Sequence, residues 1–161
     1  GRYFIAEKEG ITFIRMVGNL KYTSSSGFDI FLDDFLARAY QDVVIDLSEA
    51  SFIDSTNLGL IARIAERSRR MGRNPVTLIS PRDDINRILK SVRFDRIFRI
   101  IETGEPAALS AGTEESEVET GGVHVEKDDL NMILRAHKTL IEIDEENRDE
   151  FQDVVDLLEK S

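Results

Sequence analysis

The stretch that decides the fold is residues 43–60, which read VVIDLSEASFIDSTNLGL. Its first part, residues 43–47, is a short apolar run rich in β-branched side chains, which is typical of a buried parallel strand. Its last part opens an amphipathic helix, because apolar residues recur at helical spacing from Leu58 onward. A polar turn separates the two, and its tip is Asp54-Ser55-Thr56. The stretch therefore predicts a strand, a turn and a helix in that order.

The turn itself has two interpretations. Asp, Ser and Thr are the usual N-cap residues, so the turn can simply begin a helix. A hydroxyl just before a helix also lies near unpaired backbone N–H groups and the positive end of the helix dipole, where a phosphate is stabilised. The three residues alone favour the capping role and leave the phosphate role open.

The complete string resembles the signature of STAS domains (sulphate transporter and anti-sigma factor antagonist). The matching segments are VVIDL at 43–47 and FIDSTNLGL at 52–60. In that family an Asp-Ser/Thr-Ser/Thr-Gly-Leu-Gly stretch carries a regulatory phosphoserine or phosphothreonine, and residues 54–59 correspond to it. The departure is Asn57, where the family often has Gly. Asn tolerates unusual backbone angles better than most residues, so we expect the turn to survive.

The resemblance covers about residues 3–101 and implies a fold and a function. The fold is α/β, a STAS-type mixed sheet of about five strands flanked by helices. The function is a bacterial anti-sigma factor antagonist that acts by partner switching: it binds an anti-sigma factor, often itself a serine kinase, is released by phosphorylation, and is restored by a phosphatase. The expected phosphoacceptor is Ser55, with Thr56 as the alternative. The turn residues expected to contact the partner are Asp54, Thr56, Asn57, Leu58 and Gly59.

Two other functions fit the same turn. One is a scaffold that uses the phosphorylation switch to regulate another signalling enzyme. The other is a small phosphohydrolase that uses Asp46 or Asp54. We expect a binding protein rather than an enzyme, because two His, no Cys and scattered carboxylates form no catalytic constellation. No catalytic residue, metal ligand or cofactor is therefore predicted, and His124 and His137 are expected to be structural.

Length and composition predict one core domain with an extension. The chain has 161 residues, of which 41% are hydrophobic, so it can bury a core. No apolar run approaches the ~20 residues of a membrane span, and the first residues follow a strand pattern rather than that of a signal peptide. The absence of Cys excludes disulfides. We therefore expect a cytoplasmic protein that does not contact a membrane.

Charge is distributed unevenly along the chain. Residues 102–161 hold 18 acidic and 5 basic side chains, a net −13, whereas residues 1–101 carry +3. The acidic excess argues against direct binding to nucleic acid. In the helix after the turn, Arg63, Arg67 and Arg70 share one face. This face is either simply solvated or, as we predict, attracts an acidic partner through residues that include Arg63 and Arg67.

The apolar patterns predict the remaining elements of the core. In chain order these are strands at 3–6 and 11–17, a helix at 27–40, the strand at 43–47, a helix at 58–71, a strand at 75–79, a helix at 82–91 and a strand at 98–101. Strands and helices alternate from residue 43 onward, which argues for a mostly parallel sheet with right-handed crossovers. The periodicity and the family resemblance thus predict the same architecture.

The end of the chain has a different composition. Residues 102–122 mix Gly, Pro, Ser, Thr and Glu, which predicts a flexible linker. Residues 123–161 are predicted to form an acidic amphipathic helical extension, either one long helix or two. Its apolar stripes need a partner, which could be the body of the same chain, a second copy in a homodimer, or a separate protein. In the first two cases we expect the extension to regulate access to Ser55.

Overall fold

The computed structural model describes residues 1–103, 114–119 and 126–160. The strands are β1 (Arg2–Lys8), β2 (Ile11–Leu20), β3 (Asp42–Asp46), β4 (Ala50–Ile53), β5 (Thr77–Ile79), β6 (Arg99–Ile101) and β7 (Ser116–Val118). The helices are α1 (Ser26–Ala37), α2 (Ser55–Arg70), α3 (Asp83–Ser91), α4 (Glu126–Ile143) and α5 (Arg148–Glu159), and short 3-10 turns lie at Tyr22–Ser24, Phe94–Arg96 and Glu145–Asn147. None of the helices in these ranges combines the length and apolarity that a bilayer crossing demands.

The strands form one mixed sheet in the order β6-β5-β3-β2-β1-β7, and β4 pairs with the end of β2. Strands β1 and β2 form an antiparallel hairpin. The pairs β2–β3, β3–β5 and β5–β6 are parallel, as the strand and helix alternation predicts. The predicted STAS-type mixed sheet flanked by helices is therefore confirmed, although the described residues contain seven strands rather than about five.

The two additional strands lie where the sequence has little periodicity. Strand β4 falls in the stretch predicted to be a polar turn. It pairs with β2 through a register shift between Gly18 and Asn19, and the φ of Gly18 is +85°. Strand β7 falls inside the predicted linker 102–122, so that part of the prediction is wrong. It lies antiparallel to the edge of β1, where Glu117 forms an ion pair of 2.7 Å with Arg2. Of the predicted linker, residues 104–113 and 120–122 lie outside the described residues, and so does His124.

Aromatic side chains fill the space between the sheet and α1. Phe28 and Phe35 of α1 are buried, and the ring of Phe28 stacks on that of Tyr3 from β1 with 4.4 Å between centroids. Phe35 stacks in turn on Tyr40, at 4.6 Å. This chain of rings confirms that the apolar stripe of α1 belongs to the core. It also fixes α1 against β1, the two elements that lie beneath the turn at Ser55.

Helices α4 and α5 form a helical hairpin, here called the C-terminal hairpin, and α4 packs against α2. The 3-10 turn at Glu145–Asn147 breaks the predicted helical extension into two helices. The apolar stripes of both helices are buried in the core of the same chain: Met132, Leu140, Ile141, Ile143, Phe151 and Val155. The sequence left three partners open for these stripes: the body of the same chain, a second copy and a separate protein. In the structure the partner is the body of the same chain.

Polar contacts hold the turn of the C-terminal hairpin on the body. The buried Asn147 side chain donates a hydrogen bond to the carbonyl oxygen of Val92 on the body, at 3.0 Å, and a second to that of Leu140 within α4, at 2.8 Å. Glu146 also forms an ion pair with Arg93, at 3.1 Å. The basic stretch of the body thus meets the acidic extension, as the opposite charges of the two segments suggest.

Candidate phosphorylation site

Helix α2 begins at the predicted turn, three residues earlier than the apolar spacing indicates. Asp54 has extended backbone angles, and its side chain accepts a hydrogen bond of 2.9 Å from the N–H of Asn57. Its second carboxylate oxygen accepts one of 2.7 Å from the N–H of Tyr22. Asp54 is therefore a true N-cap that also ties the helix start to the preceding loop. Ser55 becomes the first residue of α2, where backbone N–H groups and the helix dipole favour a negative group.

A buried hydrogen-bond network lies directly beneath Ser55. The side-chain amide of Asn57 donates to Asp54 Oδ1 and to Ser25 Oγ, each at 2.9 Å. The Tyr3 hydroxyl donates to Asn57 Oδ1 through a short hydrogen bond and lies 3.0 Å from Ser25 Oγ. These contacts join β1, the start of α1 and the start of α2. They fix the position from which the Ser55 side chain projects.

This network gives a structural role to Asn57, which stands where the family often has Gly. The expectation that Asn57 adopts unusual backbone angles is wrong, because Asn57 lies inside α2. Among the described residues other than Gly, positive φ angles occur at Glu9 and Arg93. Asn57 is instead fully buried, with both ends of its amide hydrogen-bonded. A buried amide is favourable when its partners are present, as they are here.

The Ser55 hydroxyl contacts the C-terminal hairpin rather than the network. Its Oγ lies 2.8 Å from Nε2 of His137 on α4. The other ring nitrogen, Nδ1, lies 2.6 Å from the carbonyl oxygen of Ile133. Since a carbonyl oxygen only accepts, Nδ1 carries the proton, and in the neutral ring Nε2 accepts from the Ser55 hydroxyl. His137 is only 4% exposed, and Phe151 meets its ring edge-on with 5.4 Å between centroids.

Gly59 allows α4 to lie close to α2 at this point. A Cβ atom placed on Gly59 would come 2.5 Å from the Ala136 Cα, and its three nearest neighbours would all be backbone atoms of Ala136. Any larger residue would therefore hold the helices apart. Among the other predicted contact residues, Thr56 and Leu58 are buried at 3% exposure. The structure thus brings Ser55 and Gly59 together under α4.

The predicted basic face of α2 is engaged within the chain. Arg63 forms ion pairs of 2.7 Å with both Asp29 and Asp33 of α1, and its side chain is 11% exposed. Asp33 also pairs with Arg135 of α4, at 2.8 Å. Arg67 donates a 3.0 Å hydrogen bond to the carbonyl oxygen of Leu36. These arginines join α1, α2 and α4. They therefore stabilise the packing of the three helices, whether or not they also contact a partner.

The two carboxylates considered for a phosphohydrolase have local structural roles. Asp46 accepts hydrogen bonds from the backbone N–H and hydroxyl of Ser48, at 2.9 and 2.6 Å. Asp54 is occupied as the N-cap of α2. In ranges 1–103, 114–119 and 126–160, no group of three acidic or His side chains is placed to hold a metal ion.

We expect Asn57→Gly, which restores the residue common in the family, to destabilise this protein. The change removes the partners of Tyr3, Ser25 and Asp54 and places Gly in a helix, for a loss of about 2–4 kcal/mol in the free energy of unfolding. Urea denaturation would measure it, with Ser51→Ala on the exposed side of β4 as the control. In combination with Tyr3→Phe the losses should be less than additive, because both remove one shared hydrogen bond. Fully additive losses would show that Tyr3 and Asn57 do not stabilise each other.

Burial raises the pKa of Tyr3 to about 12, aided by the nearby charge of Asp54 and opposed by the hydrogen bond with Ser25. An unfolded tyrosine ionises near pH 10. The stabilisation from this difference is therefore complete below pH 10 and is lost as the pH rises toward 12, because the unfolded chain releases its proton first. We expect Tyr3→Phe to make the fall in melting temperature between pH 10 and 12 shallower than in the unsubstituted protein. Parallel curves for the two proteins would contradict the assignment.

Comparison with known proteins agrees with this geometry. The family model for the STAS domain matches residues 4–107. Two curated relatives, from Thermotoga neapolitana and Thermotoga maritima, are both named as candidate anti-sigma factor antagonists. Each is 34% identical over 71 residues, which is 44% of this chain and 62% of the relative. The crystal structure of a candidate anti-sigma factor antagonist from Thermotoga maritima is similar to this chain, with a TM-score of 0.56 and 25% sequence identity. The match covers 66% of this chain and 91% of that protein's chain. This chain therefore belongs to the STAS domain family.

Proposed function

We propose that the protein is an anti-sigma factor antagonist that works by partner switching. The unphosphorylated form binds an anti-sigma factor that is also a serine kinase, phosphorylation of Ser55 ends the binding, and a phosphatase restores it. Family membership and the names of the Thermotoga relatives support this proposal. In it the protein acts in the cytoplasm through protein contacts, without a cofactor and without direct binding to nucleic acid.

The observation that carries the proposal is the position of Ser55. It is the first residue of α2 and half-buried, and within the described residues its hydroxyl bonds only to His137. Thr56, the alternative acceptor, is 3% exposed, so a phosphate there would have to be buried in the body. A phosphate on Ser55 would instead lie at the positive end of α2. Ser55 is therefore the better acceptor.

Phosphorylation supplies enough charge to end binding at this position. A phosphate adds about −1.5 to −2 charges at pH 7, together with strong acceptor oxygens. Asp54 is the adjacent residue, so the new charge would lie beside an existing one. In an interface both charges would have to be desolvated, which weakens association unless the partner supplies cations.

Exposed aromatic residues beside the turn provide the apolar part of a binding surface. Phe52, two residues before Asp54, is 45% exposed on β4. Tyr22 is also exposed, and its backbone N–H bonds to Asp54. Large aromatic residues are enriched in the contacts that dominate protein interfaces. We propose that they flank the partner's contact with the turn.

The assignment of Ser55 is tested by labelling the protein with ATP in extract of the source cells and locating the phosphate by mass spectrometry. Ser55→Ala should abolish the added mass and retain binding to the purified anti-sigma factor of the same genome. Ser55→Asp should fold but bind more weakly, by ~2–5 kcal/mol if the charge is desolvated unpaired. The matched controls are Ser51→Ala and Ser51→Asp on the exposed side of β4. Phosphate found only on another residue would overturn the assignment.

The role of Phe52 is tested in the same binding assay. Phe52→Ala should weaken binding by about 1–3 kcal/mol, because an exposed aromatic anchor is lost, and should change the free energy of unfolding by less than about 0.5 kcal/mol. Ile30→Ala is the control, since Ile30 is a similarly exposed large apolar residue, at 66%, on α1 rather than on β4. Equal effects of the two substitutions, measured by isothermal titration calorimetry, would count against a contact specific to Phe52.

A further inference from the structure

The C-terminal hairpin lies on the same surface that the proposed function requires. At the start of α2 the Ser55 hydroxyl is bonded to His137, at 2.8 Å. One turn further, Gly59 lies against the backbone of Ala136. An external protein that contacts both positions would have to occupy the volume that α4 fills. The hairpin and a partner therefore compete for this part of α2.

A phosphate on Ser55 would disrupt this contact, because it replaces the hydroxyl proton that Nε2 of His137 accepts. A phosphoryl group adds a phosphorus and three oxygens to Oγ, whereas the ring of His137 already lies at hydrogen-bonding distance. That ring cannot easily turn aside, because it is 4% exposed, bonded to the carbonyl of Ile133 and packed against Phe151. Closely packed interiors resist such an insertion. We therefore expect phosphorylation of Ser55 to displace α4.

Charge on the hairpin is unevenly distributed. Residues 126–160 contain 12 acidic and 5 basic side chains, a net −7, but residues 131–141, which include the contact with Ser55, contain Arg135 and Lys138 and no acidic side chain. The helix dipole of α2 stabilises a phosphate on the body whether α4 is present or absent. The exclusion of a phosphate by the closed hairpin therefore rests on the packing at His137.

We infer that the C-terminal hairpin is an intrachain cover for the partner surface, and that a closed hairpin and a phosphate on Ser55 exclude each other. This inference rests on the proposed role of Ser55 and specifies how that site is regulated. In the closed state neither a kinase nor a partner reaches the hydroxyl. The apparent affinity of either protein is its intrinsic affinity multiplied by the fraction of chains that are open, so it falls as that fraction falls. Since the coupling is reciprocal, a phosphate on Ser55 must in turn favour the open state.

Gly59→Ala opens the cover without changing Ser55. The position lies within α2, whose helical backbone accepts Ala more readily than Gly. The added methyl group meets the backbone of Ala136 first, so the body can keep its structure while α4 is displaced. Asn147→Ala is a second route to the open state, because it removes the bond that holds the hairpin turn to Val92 of the body, together with the bond to Leu140 within the hairpin. Asp153→Ala, at an exposed position of α5, is the matched control.

Hydrogen exchange followed by mass spectrometry on the full chain tests the inference. The samples are the unsubstituted protein, the three variants and a chain with phosphoserine installed at position 55 during translation. We expect the amides of residues 126–160 to exchange at least about tenfold faster with Gly59→Ala, with Asn147→Ala and with phosphoserine, because each favours opening. Asp153→Ala should match the unsubstituted protein, and the amides of β3 and β5 should stay protected throughout. Hairpin amides that remain as protected in the phosphoserine chain as in the unsubstituted protein would overturn the inference.

A second measurement separates this inference from the proposed function. In cell extract with ATP, Ser55 of the Asn147→Ala variant, whose substitution lies on the hairpin and leaves α2 unchanged, should gain phosphate at least about tenfold faster than in the unsubstituted protein, because the open fraction is larger. Equal rates would overturn the role of the hairpin as a cover. Phosphate found only at other residues would overturn the proposed function, and the exchange data on the phosphoserine chain would still decide whether phosphate and closed hairpin exclude each other.

Discussion

The close approach of two helices at Gly59 is the constraint on which the arrangement of this protein depends. Because Gly59 has no side chain, the backbone of α4 lies directly against α2 at Ala136. That spacing places the next residue, His137, within 2.8 Å of the Ser55 hydroxyl. A side chain at position 59 would separate the helices and break this bond. One glycine in the family's signature thus sets both the packing of the extension and the state of the proposed phosphorylation site.

The buried network under Ser55 provides the rigid half of this site. Asp54, Asn57, Ser25 and Tyr3 connect three elements of the core, and the amide of Asn57 is bonded at both ends. Such a network is stabilising only when all its members are paired. It holds the first turn of α2 in place, so a change at Ser55 cannot be absorbed by movement of the body. We therefore expect the hairpin, rather than the body, to move when Ser55 is changed. The hairpin is held by apolar burial and by the contacts of its turn.

The central part of the fold is predicted well from the sequence, because the periodic spacing of apolar residues indicates its strands and helices. The run at 43–47 and the apolar spacing of α1, α2 and α3 correspond to buried faces, and the structure has these elements within a few residues. Strands β4 and β7 were missed, since they have four and three residues and no regular alternation. Their pairing is decided by the neighbouring strands β2 and β1. Short strands of this kind need the tertiary structure to be recognised.

The candidate site could be predicted only in part. The string at 54–59 identified Ser55 and its neighbours, because the signature is local in sequence. His137 was assigned a structural role, since it lies in an apolar stripe 82 residues from Ser55 and no spacing rule joins the two. Asn57 was recognised as a departure from the family, but its network partners Tyr3 and Ser25 lie 54 and 32 residues away. Contacts at such distances become visible only when the fold is known.

The protonation of His137 tests the central claim, that α4 covers Ser55, most directly. Nitrogen-15 NMR of the imidazole rings distinguishes which ring nitrogen carries the proton, and His124→Gln assigns the remaining signal to His137. A closed hairpin predicts a proton on Nδ1, bonded to the carbonyl of Ile133, with Nε2 directed at the Ser55 hydroxyl. It also predicts a cross-peak between the His137 ring and the Ser55 methylene protons. A ring with its proton on Nε2, or one without contact to Ser55, would contradict it.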